Sequence, residues 1–343
     1  MGRAIRLRNV TARCLLPLLL GALVMPWAAL AAQPAASPES TRRASDSVVG
    51  LLTLAIPDAP SSATLGPIRQ GSGVVIGPDG LVLTIGYLVL EADQVLLQPD
   101  DGRQIPARVL GYDVATGFGL VKALIPVSLP AAPLGDPSTL DETEPLLFVT
   151  GGPRARITMA RQVARRPFSG YWEYHLDHAV FTAPARPDHS GAALFNLRGE
   201  LLGVGSLIVS DALGPAEPPM PGNMFVPVDL LKPILGELVA QGRSTQSKRA
   251  WMGAHCVEMG GEVRVARVSD GSPAELAGLL PGDRIVRIDG QRVDDLHSLW
   301  QRLWEGGAAE RDVALDILRD GQPLKVPLHT IDRQSAIRQP EGT

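Results

Sequence analysis

The sequence has few aromatic residues and few cysteines, and its histidines are confined to one half of the chain. Aromatics make up 4% of the 343 residues and hydrophobic residues 45%, so aliphatic side chains must fill the core. The two cysteines, Cys14 and Cys256, exclude a disulfide-rich scaffold. None of the six histidines precedes His175. Any histidine-dependent chemistry must therefore draw on the second half of the chain.

The charge is unevenly distributed along the chain. The formal net charge is −4, but residues 1–31 carry four arginines and no acidic residue. Without them, 28 basic residues stand against 36 acidic ones. Non-specific nucleic-acid binding needs clustered positive charge, so this function class is excluded. The length suits two or three domains.

Residues 1–31 have the pattern of a signal peptide. Arginines precede an apolar run from Cys14 to Leu30, and small residues at Ala29 and Ala31 suit a cleavage site. The run is about 17 residues long, at the lower limit for a membrane span, and prolines interrupt it. Cleavage is therefore favoured over retention as a membrane anchor. No later run is long and apolar enough to span a membrane, so we expect an exported protein.

The remaining chain shows two kinds of pattern. About a dozen short β-type runs, with a hairpin turn at Pro78-Asp79-Gly80, predict an antiparallel barrel or sandwich. An amphipathic helix then ends at Gly242, and strands alternate with short helices beyond it, typical of a small α+β module. The predicted segments are a flexible linker 32–45, a β domain 46–241, a linker 242–250, an α+β module 251–332 and a flexible tail 333–343.

Several motifs carry a family resemblance. GSGVVIGPDGLVLT, VLGYDVAT and HSGAALFNLRGELLGV occur in the order found in HtrA/DegP-type serine proteases. The C-terminal module is similar to a PDZ domain at WMGA, at GSPAELAGLLPGDRIVRIDG and at LRDGQPLKV. The resemblance implies a mainly β fold, a chymotrypsin-like double β-barrel followed by an α+β PDZ domain. It covers roughly residues 45–330, nearly all of the exported chain.

The resemblance also shows where the catalytic pattern is broken. Ser190 matches the family's nucleophile, but Tyr87 stands at the position of the histidine base and Gly117 at that of the aspartate. Asp113 matches a different acidic position, and Asp188 replaces a residue, usually glycine, that donates an oxyanion N–H. Loss of the histidine alone costs on the order of 10⁶ in turnover in a comparable protease. We therefore expect impaired catalysis.

Other histidines offer weaker alternatives. His175, His178 and His189 lie within 15 residues of Ser190, and a rearranged site using one of the first two as base stays open. Together with Asp177 and Asp188 they fit no common metal-site spacing, so polar surface and loop roles are favoured. No metal or other cofactor is expected.

The PDZ-like module retains more of its family pattern. The resemblance implies that Trp251-Met252-Gly253-Ala254 forms the loop whose N–H groups receive a peptide carboxylate, with Met252 and Ala254 lining the pocket. Leu299 and Leu303 lie on the helix that would wall the groove, although they could equally pack the core. Cys256 is expected to be a small buried hydrophobic residue.

Three functions remain open at this stage. The leading one is an exported, periplasmic, catalytically impaired HtrA-like protein in envelope quality control or regulation of an active relative. Its partners would be unfolded polypeptides or protein C-termini, and it could form homo- or hetero-oligomers with HtrA-like proteins. The alternatives are an active serine endopeptidase using Ser190 with a non-standard base, and a structural or regulatory oligomer subunit.

Overall fold

The fold was analysed in a computed structural model, which describes residues 37–141 and 143–338. The predicted signal peptide lies outside the described residues. Pro38–Asp46 form helix α1, which overlaps most of the segment 32–45 that the sequence indicated as a linker. The Ser37 side chain caps the helix by accepting from the Ser40 N–H, and Ala44 is buried. The segment therefore has both a local start signal and a tertiary contact.

Six strands close into a first barrel, in the order β1-β2-β3-β6-β5-β4. The predicted hairpin at Asp79-Gly80 is confirmed, because β2 and β3 pair antiparallel across it. A short helix α2, Ser62–Leu65, lies between β1 and β2. The strands are β1 Val48–Ala55, β2 Ile68–Gly77, β3 Leu81–Ile85, β4 Ala92–Gln98, β5 Ile105–Tyr112 and β6 Phe118–Ala123.

A second closed barrel follows, in the order β10-β11-β12-β9-β8-β7. Its longest strands, β8 and β9, form a hairpin whose tip lies between Gly170 and Tyr174. The strands are β7 Pro145–Thr150, β8 Arg156–Gly170, β9 Tyr174–Ala183, β10 Ala193–Phe195, β11 Leu201–Val209 and β12 Gly222–Pro227. The double barrel predicted from the sequence is confirmed.

Helix α3, Leu235–Gln241, follows the second barrel and ends where the sequence predicted. Gly242 adopts the left-handed conformation with φ 72° and ends the helix. Single 3₁₀ turns occupy Gly86–Leu88, Pro137–Thr139, Val228–Leu230, Thr245–Ser247 and Arg333–Ala336. The last of these lies at the start of the segment 333–343 predicted as a tail.

The C-terminal module is an antiparallel sheet, β14-β15-β16-β18-β19, with β17 paired to β16. A two-stranded sheet, β13-β20, stands beside it. The elements are β13 Ala250–Trp251, β14 Ala254–Met259, β15 Glu262–Val268, α4 Pro273–Leu276, β16 Arg284–Ile288, β17 Gln291–Arg292, α5 Leu296–Glu305, β18 Asp312–Arg319, β19 Gln322–His329 and β20 Ile331–Asp332. This is the α+β module that the sequence predicted.

The module has its own hydrophobic core, separate from that of the barrels. Trp300, Leu299 and Leu303 of α5 are fully buried in it. Cys256 is also buried, as expected from the sequence, and burial raises the pKa of its thiol well above the usual range. Over residues 37–141 and 143–338 we find no helix with the length and apolar character needed to cross a membrane.

Candidate active site

Ser190 lies at the junction of the two barrels, in the turn between β9 and β10. Its carbonyl accepts a 2.9 Å hydrogen bond from the Ser72 N–H of β2, which ties the turn to the first barrel. Gly191 follows with φ 70°, and a Cβ there would collide with the Ser72 carbonyl. A glycine is therefore required after Ser190. The turn opens on a cleft of about 470 Å³.

Tyr87 contacts Ser190 from the first barrel. It lies in the 3₁₀ turn that directly follows β3, and its phenol oxygen is 2.8 Å from Ser190 Oγ and 2.8 Å from the Ser206 carbonyl oxygen. A phenol has one proton, and a carbonyl can only accept. When the phenol donates to Ser206, the Ser190 hydroxyl must be the donor in the other hydrogen bond. The position that the resemblance assigns to a base thus holds a neutral acceptor.

Burial makes the phenol harder to ionise. Desolvation raises the pKa of Tyr87 to about 12, although the hydrogen bond with Ser190 acts in the opposite direction. At pH 7 a group with this pKa is ionised in roughly one molecule in 10⁵. Relative to an imidazole with a pKa near 7, forming the basic species costs about 7 kcal/mol more. Tyr87 is therefore a poor general base.

No carboxylate stands at the position expected to orient the base. Gly117 has φ 79°, and its carbonyl accepts a 2.6 Å hydrogen bond from the Gly86 N–H. The nearby Asp113 carboxylate accepts from the Thr116 N–H at 2.8 Å and from its hydroxyl at 2.6 Å. The acid in this segment thus stabilises its own turn.

The nearby histidines make other contacts. His175 is hydrogen-bonded to Ser169 at 2.8 Å and lies 3.2 Å from Asp177. His189 Nδ1 lies 3.2 Å from the Arg186 carbonyl oxygen, and burial lowers the pKa of its imidazole. Within the described part of the chain, no histidine is hydrogen-bonded to Ser190. The contacts give the alternative of a histidine base no support.

The rim of the cleft carries charge of both signs. The Asp188 carboxylate accepts two hydrogen bonds from Arg186, at 2.7 and 2.9 Å. Burial alone would raise the pKa of Asp188, but Arg186 outweighs it and holds the pKa below the usual value. Asp188 is therefore a carboxylate on the rim of the cleft, paired with Arg186. Arg154 and Arg156 line the same cleft.

The loop predicted to receive a peptide carboxylate is formed in the C-terminal module. Gly253 has φ 83°, and a Cβ there would collide with Ser272, so the loop requires glycine at this position. The N–H groups of Met252, Gly253 and Ala254 all donate to the side chain of Glu173. Met252 and Ala254 are fully buried, and Trp251 is half-buried. Glu173 could not be recognised from the sequence, because nothing local distinguishes it from an ordinary hairpin residue.

The described residues show no grouping of three or more histidine, cysteine or acidic side chains able to hold a metal ion.

Family models match both halves of this architecture. A trypsin-like peptidase domain matches residues 71–204, and a PDZ domain matches residues 250–330. HhoA of Synechocystis sp., which its name places among the serine proteases, is 30% identical over 76% of this chain and 70% of its own length. A Pseudomonas savastanoi protein named as a DegP-like periplasmic serine endoprotease is 28% identical over 75% of this chain. The chain spans only 54% of that relative.

Solved structures have the same fold. The HtrA-type protease AlgW, solved with a decapeptide, superposes with a TM-score of 0.52 at 24% identity, covering 86% of this chain and 98% of its own. A serine endoprotease from Yersinia pestis has a TM-score of 0.52 at 22% identity, covering 88% of this chain and 99% of its own. Together with the two domain matches, the relationship to HhoA shows that this chain belongs to the HtrA-type serine proteases with a C-terminal PDZ domain.

Proposed function

We propose that this protein is an exported, catalytically impaired HtrA-type protease that binds unfolded polypeptides or protein C-termini through its PDZ domain. The observation that carries the proposal is the pair of 2.8 Å contacts made by the Tyr87 phenol, to Ser190 and to the Ser206 carbonyl. A weakly basic phenol at the position that the resemblance assigns to an imidazole supports impaired catalysis.

Three further features support impaired catalysis. Gly117 supplies no carboxylate to orient a base, and Asp113 is engaged in its own turn. Asp188 stands where the resemblance implies an oxyanion-hole residue, usually glycine, and its carboxylate opposes oxyanion stabilisation to the extent that Arg186 leaves its charge uncompensated. These defects act on separate parts of the mechanism, so repairing one of them leaves the others in place.

The binding role rests on the loop Trp251-Met252-Gly253-Ala254 of the PDZ domain, here called the carboxylate loop. Its three N–H groups converge on one carboxylate, as recognition of a peptide terminus requires. We place the protein in the periplasm, supported by the signal-like leader and by relatives named as periplasmic. The proposed roles there are envelope quality control or regulation of an active relative, as a homo- or hetero-oligomer.

The proposal is tested with the mature chain from Ala32 and a Ser190→Ala variant. Each is incubated with unfolded casein at pH 7.5, and proteolysis is followed by gel electrophoresis. Parallel samples measure suppression of light scattering by a heat-denatured client protein. We expect no difference in casein cleavage between the two chains, and equal suppression of aggregation. Casein cleavage that Ser190→Ala abolishes would instead establish the working endopeptidase, with a non-standard base.

A further inference from the structure

The carboxylate loop of the PDZ domain is already occupied by a side chain of the second barrel. Glu173, at the tip of the β8–β9 hairpin, accepts hydrogen bonds from Met252, Gly253 and Ala254 at 3.0, 2.7 and 3.0 Å. Its two carboxylate oxygens share these three donors, and only 2% of the residue is exposed. All N–H groups assigned to a peptide carboxylate are therefore satisfied from within the chain.

The backbone next to Glu173 continues the resemblance to a bound peptide. Two residues before it, the Tyr171 carbonyl accepts a 2.9 Å hydrogen bond from the Cys256 N–H, two residues beyond the loop on β14. The segment from Tyr171 to Glu173 therefore runs along β14 with its carboxylate at the loop, as a peptide does when it adds a strand to a sheet edge. On the other side, the Trp300 indole of α5 donates to the Gly170 carbonyl at 2.9 Å. Residues 170–173 lie between β14 and α5.

From this arrangement we infer that residues 170–173 are an internal ligand of the PDZ groove, with the Glu173 carboxylate in the place of a peptide's terminal carboxylate. The inference rests on the proposed function, because it takes the groove to be the peptide site. A partner with a free C-terminal carboxylate and an extended backbone must displace the hairpin tip. The apparent affinity for such a partner is reduced by the fraction of molecules in which the groove is filled.

The internal ligand is held at both ends. Glu173 has φ 57°, a conformation unfavourable for a residue with a side chain, so the surrounding contacts must stabilise it. Arg333 donates to the Glu173 carbonyl at 2.6 Å, and the Tyr174 hydroxyl donates to the Thr116 carbonyl at 2.5 Å. The tip is therefore anchored to both the C-terminal segment and the first barrel, and a competing peptide must break the Glu173 and Tyr171 contacts to displace it.

The test measures peptide binding by the mature full-length chain and its variants. The probe is a fluorescein-labelled ten-residue peptide ending in Tyr-Trp-Val with a free carboxylate, and the same peptide with an amidated end is the negative probe. Glu173→Ala and Glu173→Gln both remove the competing charge, and exposed Glu217→Ala is the matched control. We expect both Glu173 variants to bind the free-carboxylate probe about tenfold tighter or more, and Glu217→Ala to match the parent chain. Measurable binding with equal affinities across the four chains would overturn the inference.

Amide hydrogen exchange separates this inference from the proposed function. In Glu173→Ala, residues 252–254 should exchange faster than in the parent chain, and the free-carboxylate probe should protect them again. Unchanged exchange at these amides would overturn the internal-ligand assignment, whatever the probe does. If exchange accelerates but no variant binds the probe, the contact stands as an intramolecular interface and peptide binding by the PDZ domain is what fails.

Discussion

Replacing Tyr87 by phenylalanine removes the phenol oxygen while keeping the ring that packs against the first barrel. Two 2.8 Å contacts are lost, one to Ser190 and one to the Ser206 carbonyl. A half-buried neutral hydrogen bond contributes about 1 kcal/mol, so we expect the free energy of unfolding to fall by about 1–2 kcal/mol. Urea denaturation followed by tryptophan fluorescence measures this loss.

The same variant should leave hydrolysis unchanged. A phenol with a pKa of about 12 supplies too little phenolate near neutral pH to act on Ser190. Casein cleavage at pH 7.5 should therefore be equal in the parent chain, Tyr87→Phe and Ser190→Ala. Cleavage that both substitutions abolish would refute the reasoning, since it would show that the phenol works as a base despite its burial.

Tyr87→His tests how much turnover an imidazole at this position can restore. In a comparable protease, loss of the histidine costs about 2 × 10⁶ in turnover, and loss of the aspartate alone about 3 × 10⁴. Restoring an imidazole beside Gly117 can therefore raise Ser190-dependent turnover by at most about 10². An imidazole is shorter than a phenol, so this value is an upper bound. A gain well above it would show that Gly117 and Asp188 do not limit the site as we argue.

Two further predictions concern the hairpin and its carboxylate. Trp300→Phe removes the indole N–H that bonds the Gly170 carbonyl in a fully buried position, so thermal unfolding should show a loss of about 1–3 kcal/mol; an unchanged midpoint would contradict this contact. Burial raises the pKa of Glu173 to about 7, although Arg333 and the three N–H groups oppose this shift. The adjacent Cys256 thiol stays neutral, because its pKa is also raised. The folded state then holds the Glu173 proton more tightly than the unfolded state, so stability falls as pH rises from about 4.5 to 7, by about 3 kcal/mol relative to Glu173→Gln. Urea midpoints at several pH values measure this pH dependence of stability. The same pH dependence in the parent chain and in Glu173→Gln would contradict the prediction.

The features that could be predicted are those carried by local sequence patterns and by the order of the motifs. Short β-type runs with turn chemistry between them indicate the barrels, and the family resemblance implies that Tyr87 and Ser190 share one site. These two residues are 103 positions apart, yet their phenol and hydroxyl oxygens lie 2.8 Å from each other.

The second contact of the phenol, to the Ser206 carbonyl, could not be predicted from the sequence, because it depends on the path of β11 across the barrel.

The internal ligand could not be predicted for a similar reason. Glu173 bonds to N–H groups 79 to 81 residues further along the chain, and neither partner segment carries a signal of the other. The helix at Pro38–Asp46 was missed because an Ala, Pro and Ser-rich composition suggested a flexible linker. Two contacts stabilise this helix despite its composition: the Ser37 side chain caps its first turn, and the Ser40 hydroxyl donates to the Leu197 carbonyl at 2.8 Å.

Ser190 should be unreactive near neutral pH, because no effective base acts on its hydroxyl. The most direct test is the pH dependence of fluorophosphonate labelling of the mature chain, with the modified residue identified by mass spectrometry and Ser190→Ala as the blank. We expect negligible labelling of Ser190 between pH 6 and 9. Rapid labelling of Ser190 that rises through a transition near pH 7, as an imidazole base would produce, would contradict it.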